Sequence, residues 1–452
     1  MSDLSEAKRA AIAALIEAAP DAMLTSIEAA FRTASSAPAV AVRNLAVAAQ
    51  VERAARALAF EPILPLFKAR ADGVKAPCFP AATLSALWRE LAQRRPDAVA
   101  ILAARIRSQE PDAPGVVVDG LCAEAAALLR EGDVAAWRLA SEADAESLAA
   151  YFELTPLARA TLPRLHEWLG RIDHERGVSL RLAFKDAAGV RDDGAARLLE
   201  LMLGHLDHAG QVLRLVAAIT DGARESFIRN SELADFGERL VAFVEERAGE
   251  IRRLGPRSTA AETEAAMAGL SAAVEILSEF DINVPPTPEG DWSRRLASAR
   301  SAIGGQLETI VRGVEKLVDK ALPLASTRIA GRMSRLAPNL AADPESAAVH
   351  EARRALTMLH RLRGAASALG CESLRAQVAE SVAVRVDSYA EEVLQLLHGG
   401  DAEDPKRALA LLEVAAEFLG LSRDESAAAL VRRRAAVALA ADAGPDGDSQ
   451  AA

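Results

Sequence analysis

Side chains able to make or break bonds are nowhere gathered together in this 452-residue sequence, which has seven histidines and three cysteines. His205 and His208 stand three positions apart, a spacing that on one helix face lets both imidazoles reach a single metal ion. Further ligands would have to come from elsewhere, because Glu200 lies off the face of His205; the competing reading is an ordinary polar helix end before Gly210. None of the histidines carries the Glu-x-x-His pairing of di-iron bundles. His166-Glu167 and Asp173-His174-Glu175 mix imidazole and carboxylate in the manner of solvated charge. Cys78, Cys122 and Cys371 match neither a disulfide framework nor a zinc spacing and read as reduced, buried thiols. There is no Gly-x-Ser-x-Gly, no phosphate loop and no Gly-x-Gly-x-x-Gly, so no metal or cofactor is expected.

One stretch places a titratable group in a pattern. Residues 359–370 read Leu-His-Arg-Leu-Arg-Gly-Ala-Ala-Ser-Ala-Leu-Gly. On a helix, Ala352, Ala355, Leu359, Leu362, Ala366 and Leu369 make one apolar stripe that must be buried, which puts His360 off the stripe. Its neighbours from Thr357 onward are small, and Gly364, one turn on, costs a helix roughly 1 kcal/mol relative to Ala, a cost suited to a place of close approach. An imidazole so placed is expected to be reachable by a partner. The plain alternative is a histidine that packs beside a leucine stripe and does nothing more.

The same residues resemble the phosphoacceptor helix of histidine phosphotransfer (Hpt) domains, whose motif reads His-x-Leu-Lys-Gly-x-Ala/Ser-x-x-Leu-Gly. The resemblance implies that His360 takes a phosphoryl group from a docked receiver domain, that Arg363 stands in for the family's lysine beside the phosphate, and that Gly364 clears room. It also implies a helical bundle around that helix. Leu359 stands where the family usually has a small residue, and a forked guanidinium replaces a point charge at Arg363. The resemblance ends with this stretch.

The elements that must position these groups follow from composition. Hydrophobic residues make up 51%, charged residues 26% and aromatics only 4%, and the bulk is Ala, Leu, Glu and Arg. These side chains lose little rotamer freedom in a helix, so the expected fold is all-α, multi-helix bundles built from helical hairpins. A chain this long is expected to form two or three domains. A net charge of −11 argues against a general attraction to nucleic acid, and scarce aromatics leave few platforms for stacked bases. The amino terminus lacks the layout of a secretory signal, and no run approaches the roughly 20 apolar residues a membrane span needs. Residence in the cytoplasm without membrane insertion is expected.

Along the chain, residues 1–138 read as an N-terminal helical region broken by a Pro- and Phe-rich segment at 60–80 and again at 111–115. The 60–80 segment reads as an apolar loop pinned across a helical layer, with an exposed docking strip as the alternative. Helix-start signals recur from Ser141 onward: Ser141 with Asp144, Thr155-Pro156, Thr259 with Glu262, Asp343-Pro344, Asp404-Pro405, and Ser422 with Glu425. Residues 139–280 form a middle helical region with a break at Gly255-Pro256, and 281–291, with Pro285, Pro286 and Pro288, read as a linker. A bundle over 292–441 follows, then a disordered tail at 442–452. The Gly304-Gly305 pair inside the first long helix of that bundle marks a close contact or a kink. Arg432-Arg433-Arg434 spreads around a helix and reads as stability and solubility.

The expectation for function is a cytoplasmic scaffold or adaptor that binds other proteins and performs no chemistry. The alternative is an Hpt-like relay protein serving receiver domains through His360, and the lowest-ranked reading is a metal-dependent bundle enzyme using His205 and His208.

Overall fold

The computed structural model of the chain describes residues 6–109, 115–170, 174–220, 225–255, 258–287, 289–328 and 334–442. The expectations placed on 111–114, Asp173, Pro256, Pro288 and the tail from 443 lie outside those residues. The fold is all-α, a set of helical bundles with one short hairpin among the described residues. It divides into two compact units, one from residues within 1–223 and 227–236, the other from residues within 224–226 and 237–452. The segment 281–291 thus lies inside the second unit.

The first unit contains α1 (Glu6–Ala18), α2 (Asp21–Ala30), α3 (Ala37–Phe60), α4 (Ala81–Arg94), α5 (Pro96–Arg107), α6 (Gly115–Glu131), α7 (Glu142–Thr161), α8 (Leu165–Leu169), α9 (His174–Val190), α10 (Gly194–Gly204) and α11 (Val212–Ile219). Its core closes on Phe60, which meets Trp88 and Phe152 edge-to-face with ring centroids 5.7 and 5.2 Å apart. The prolines at 62 and 65 cannot continue α3, and the chain instead forms a 3₁₀ turn, Glu61–Phe67, that buries Pro62, Ile63 and Leu66. The Phe79 amide then ties the far end of this segment back to the Leu66 carbonyl at 2.7 Å.

Helix starts follow their chemistry with three exceptions. Ser141 and Asp404 cap α7 and α18 (Pro405–Ser422), and Thr259 with Glu262 makes a full capping box on α14 (Ala260–Asn283). Thr155-Pro156, expected to open a helix, sits inside α7. The proline only forfeits its own N–H, while Phe152 and Tyr151 are buried one turn earlier and hold the helix through it. The start near Asp343-Pro344 moves to Ser346, whose hydroxyl accepts the Val349 amide. That near Ser422 moves to Asp424, which accepts the Ala427 amide, because the Ser422 hydroxyl already donates to the Phe418 carbonyl.

Short α12 (Glu225–Arg229) and long α13 (Ala234–Arg253) lead into the second unit, which continues through α14, α15 (Asp291–Ala321), the strands β1 (Leu324–Arg328) and β2 (Ser334–Pro338), α16 (Ala347–Arg361), α17 (Glu372–His398), α18 and α19 (Glu425–Asp442). α15 packs on α16 and α17, and α18 closes the ring against the same two, a four-helix bundle with α19 laid along α17 and α18. α15 buries Leu296, Ile303, Leu307, Val311, Val314 and Val318 at helical spacing. Its first turn is fastened by Glu225, whose carboxylate accepts the Trp292 amide at 2.7 Å and the amide and hydroxyl of Ser293 at 3.2 and 2.8 Å. Glu225 is 1% exposed and takes up donors that a helix start leaves unpaired. A Cβ on Gly290 would stand 2.1 Å from that carboxylate, so only glycine fits there.

Candidate functional site

His360 occupies the last turn of α16, and the helix expected to run through the whole motif stops at Arg361. Leu362–Gly364 form a 3₁₀ turn and residues 365–371 a tight corner closed by the Cys371 amide on the Ala366 carbonyl at 2.9 Å, with Gly370 at φ +72°. The apolar stripe is still buried: Leu362, Ala366 and Leu369 turn inward from the corner instead of along one helix. Gly304 admits this corner, since a Cβ there would stand 3.1 Å from the Leu369 carbonyl, which makes the glycine pair a close-contact point.

Two of the sequence-derived site residues share one target, the C-terminal end of α18. The half-buried His360 ring donates through Nδ1 to the Leu421 carbonyl at 3.1 Å. Because a carbonyl only accepts, this bond places a ring proton on Nδ1, so that in the neutral tautomer the lone pair is on Nε2. No hydrogen bond to Nε2 occurs among the described residues. Arg363 donates to the carbonyls of Ser422 and Arg423 at 3.2 and 2.7 Å. Imidazole and guanidinium therefore cap a helix end whose last carbonyls lack intrahelical partners and carry partial negative charge. Gly364 is exposed, and a Cβ there would meet nothing within 4 Å, so it clears space for no protein group. The Arg361 ion pair with Glu264 at 2.6 Å and the Arg423 pair with Glu380 at 2.9 Å flank the corner.

The second histidine pair is arranged differently from its expected geometry. α10 ends at Gly204, so His205 and His208 lie past the helix and do not share a helix face. The His205 ring is bonded through Nε2 to the Pro62 carbonyl at 3.0 Å. The same corner is stitched to the Pro-rich segment by Arg70, which reaches the carbonyls of Leu203 and Leu206, and by Asp72, which accepts the Ala209 amide at 3.0 Å. Burial pushes the Asp72 carboxyl up, but the hydrogen bond and charge of Arg70 and the amides of Val74 and Ala209 outweigh it and hold the group below the usual carboxylate range. This is structural stitching, and no group of three or more metal-capable side chains occurs among the described residues. Cys122 and Cys371 are buried, whereas Cys78 is exposed on the Pro-rich segment, contrary to the expectation that all three thiols are buried.

The sequence reading passed over the hairpin. The Asn339 amide donates to the Pro323 carbonyl at 2.9 Å. Given the register Leu324↔Pro338 through Arg328↔Ser334, bonding alternates, so 325/337 and 327/335 are the hydrogen-bonded pairs. The backbone N–H and C=O groups of Leu324, Ser326 and Arg328 then point away from β2, along the outer edge of β1. β2 is the strand that packs against α17. Beside that edge Leu324, 53% exposed, joins Leu322, Val384 and Tyr389 in lining a groove of about 480 Å³ between the end of α15 and α17. Val384 is 52% exposed, and the buried Tyr389 hydroxyl, without a hydrogen-bond partner among the described residues, is pushed up to about 12 by burial. Neither strand alternates aromatic or β-branched side chains; the available signal was a break in helical period between Pro323 and Pro338 around Gly331.

Fold and sites together define an all-α protein of helical bundles with a short hairpin whose β1 pairs on one side only among the described residues. Among the described residues no helix is long and apolar enough to cross a membrane. A scan against protein-family models, a search of curated proteins and a search of solved structures each found no match.

Proposed function

We propose that the protein is a helical adaptor that works by binding other proteins, and that its docking element is the outer edge of β1. The observation that carries this reading is the pairing of an open strand edge with an apolar groove at its side. A row of outward N–H and C=O groups at strand spacing is complementary to another extended backbone, which argues for a peptide segment over a small molecule. The groove between Leu322, Leu324 and Val384 takes a large aliphatic or aromatic side chain of that segment. Main-chain bonds supply affinity and the groove supplies choice.

The test is fluorescence anisotropy with a panel of extended peptides, each carrying one Leu or Phe among β-branched residues. Ser326→Pro deletes a donor on the outer edge and leaves the inner pairs intact; Val384→Glu charges the groove. Binding weakened at least tenfold by either change, with unaltered circular dichroism, supports the reading. Absence of binding across the panel, equal binding by both variants, or a self-dimer abolished by Ser326→Pro removes it.

A second reading makes His360 a phosphoryl acceptor. It is supported by the Nδ1 bond to Leu421, which in the neutral tautomer presents Nε2 as the attacking nitrogen, and by the four-helix bundle that contains α16. Incubation with phosphorylated receiver domains, beside His360→Gln, tests it: acid-labile label on the wild type alone is the supporting result, and label absent or retained in the variant rules it out.

A further inference from the structure

We infer that the second unit holds a binding site for a small amphiphilic anion, an acidic head on an aliphatic or aromatic body, in the cavity between α15, α16 and the start of α14. The cavity measures about 320 Å³, at the lower end of ligand-site volumes and equivalent to about ten waters. Its walls are apolar, from Ile310 and Leu317 on α15 and Ala355 and Met358 on α16. Around them stand Lys316, Lys320 and Arg354, opposed by one acid, Glu351.

The state of those cations is the informative feature. Elsewhere in this unit several arginines are matched one to one with acids, as Arg353 with Glu417, Arg385 with Asp319, Arg432 with Glu413 and Arg434 with Glu391. Among the described residues Lys316, Lys320 and Arg354 have no ion-pair partner. In a chain of net charge −11, three cations gathered at one apolar cavity recognise an anion whose body fills the space behind it.

A second observation comes from Gly313, which lines the same cavity in the middle of α15. Glycine there costs the helix about 1 kcal/mol relative to Ala. No protein atom requires it, since a Cβ would meet nothing within 4 Å. The missing side chain keeps the space open. This site is independent of the strand edge proposed above, and it uses the other side of α15: Lys316, Leu317 and Lys320 face the cavity, while Val318, Asp319 and Leu322 line the groove.

Isothermal titration calorimetry of the full chain with sodium octanoate as the probe tests the assignment, with octanol and inorganic phosphate as single-feature controls. One octanoate per chain is expected, with octanol and phosphate each at least tenfold weaker. Gly313→Met fills the cavity while favouring the helix, and is expected to abolish binding without lowering the melting temperature. Lys316→Glu with Arg354→Glu is expected to weaken octanoate at least tenfold and leave octanol unchanged. Octanoate that fails to bind, that binds Gly313→Met equally, or that is matched by octanol or by phosphate alone overturns the assignment.

Discussion

The first unit closes around an interlocked cluster of aromatic rings and a stitched loop, whereas the second closes mainly around aliphatic stripes fastened at helix ends. In the first, Phe60, Trp88 and Phe152 interlock at the end of α3, and Phe79 meets Tyr151 at 6.2 Å across the Pro-rich segment. In the second, the bundle core is mostly Ile, Leu, Val and Ala, with Phe418 buried in α18 and Trp292 against Phe280 at the start of α15, and side chains such as Glu225, His360 and Arg363 satisfy helix termini. The contrast follows from what each must hold. A proline-rich segment cannot satisfy its own backbone, so it needs large rings beneath it and charged side chains reaching its carbonyls and amides. A bundle satisfies its backbone internally except at helix ends, so its polar side chains collect there.

The comparison is broken most severely at Phe60. Phe60→Ala removes the ring on which two others close and is expected to cost about 4 kcal/mol, read as a lower urea midpoint with faster amide exchange in α3, α4 and α7. Asp72→Asn comes next, at about 3 kcal/mol at neutral pH, because it leaves the buried Arg70 guanidinium without its carboxylate. Its pH dependence has a definite sign. The folded carboxyl lies below its ordinary value, so its contribution is complete above the ordinary range near about 3.9 and is lost as pH falls through the folded value. Denaturation at pH 7, 4.5 and 3 should show the gap between wild type and Asp72→Asn narrowing toward acid; a constant gap refutes the assignment. Glu225→Gln keeps the shape but gives up the charge on three hydrogen bonds, about 2 kcal/mol, read as exchange at the start of α15.

What the sequence disclosed, and what it withheld, divides along the same line. Helical period, caps at Ser141, Thr259 and Asp404, and the opening of α15 at Trp292 are local signals, and each has its place in the fold. The end of α16 at Arg361 was not legible, because the stripe through Leu362, Ala366 and Leu369 has the same spacing whether the chain runs straight or turns at a corner that buries the same residues. His205 and His208 misled for the same reason: their spacing is a helix-face spacing, but Arg70 and Asp72, far away in sequence, decide that the chain has left the helix there. The motif around His360 was visible as a string, while its partner, the end of α18, became visible only in three dimensions.

The two tethered histidines come last, and their difference is informative. His205→Ala strips the donor from the carbonyl of the buried Pro62, which water does not easily replace, so a cost of about 2 kcal/mol is expected. His360→Ala strips one donor from Leu421, a half-buried carbonyl at a helix end, and about 1 kcal/mol is expected. Equal urea-midpoint shifts for the two variants would contradict this account of why the rings differ. The inequality also bears on the chemistry proposed for His360. A ring whose loss leaves the bundle folded can be replaced by Gln in a labelling experiment without unfolding as a cause of lost label. A ring that holds buried backbone, as His205 does, offers no such clean substitution.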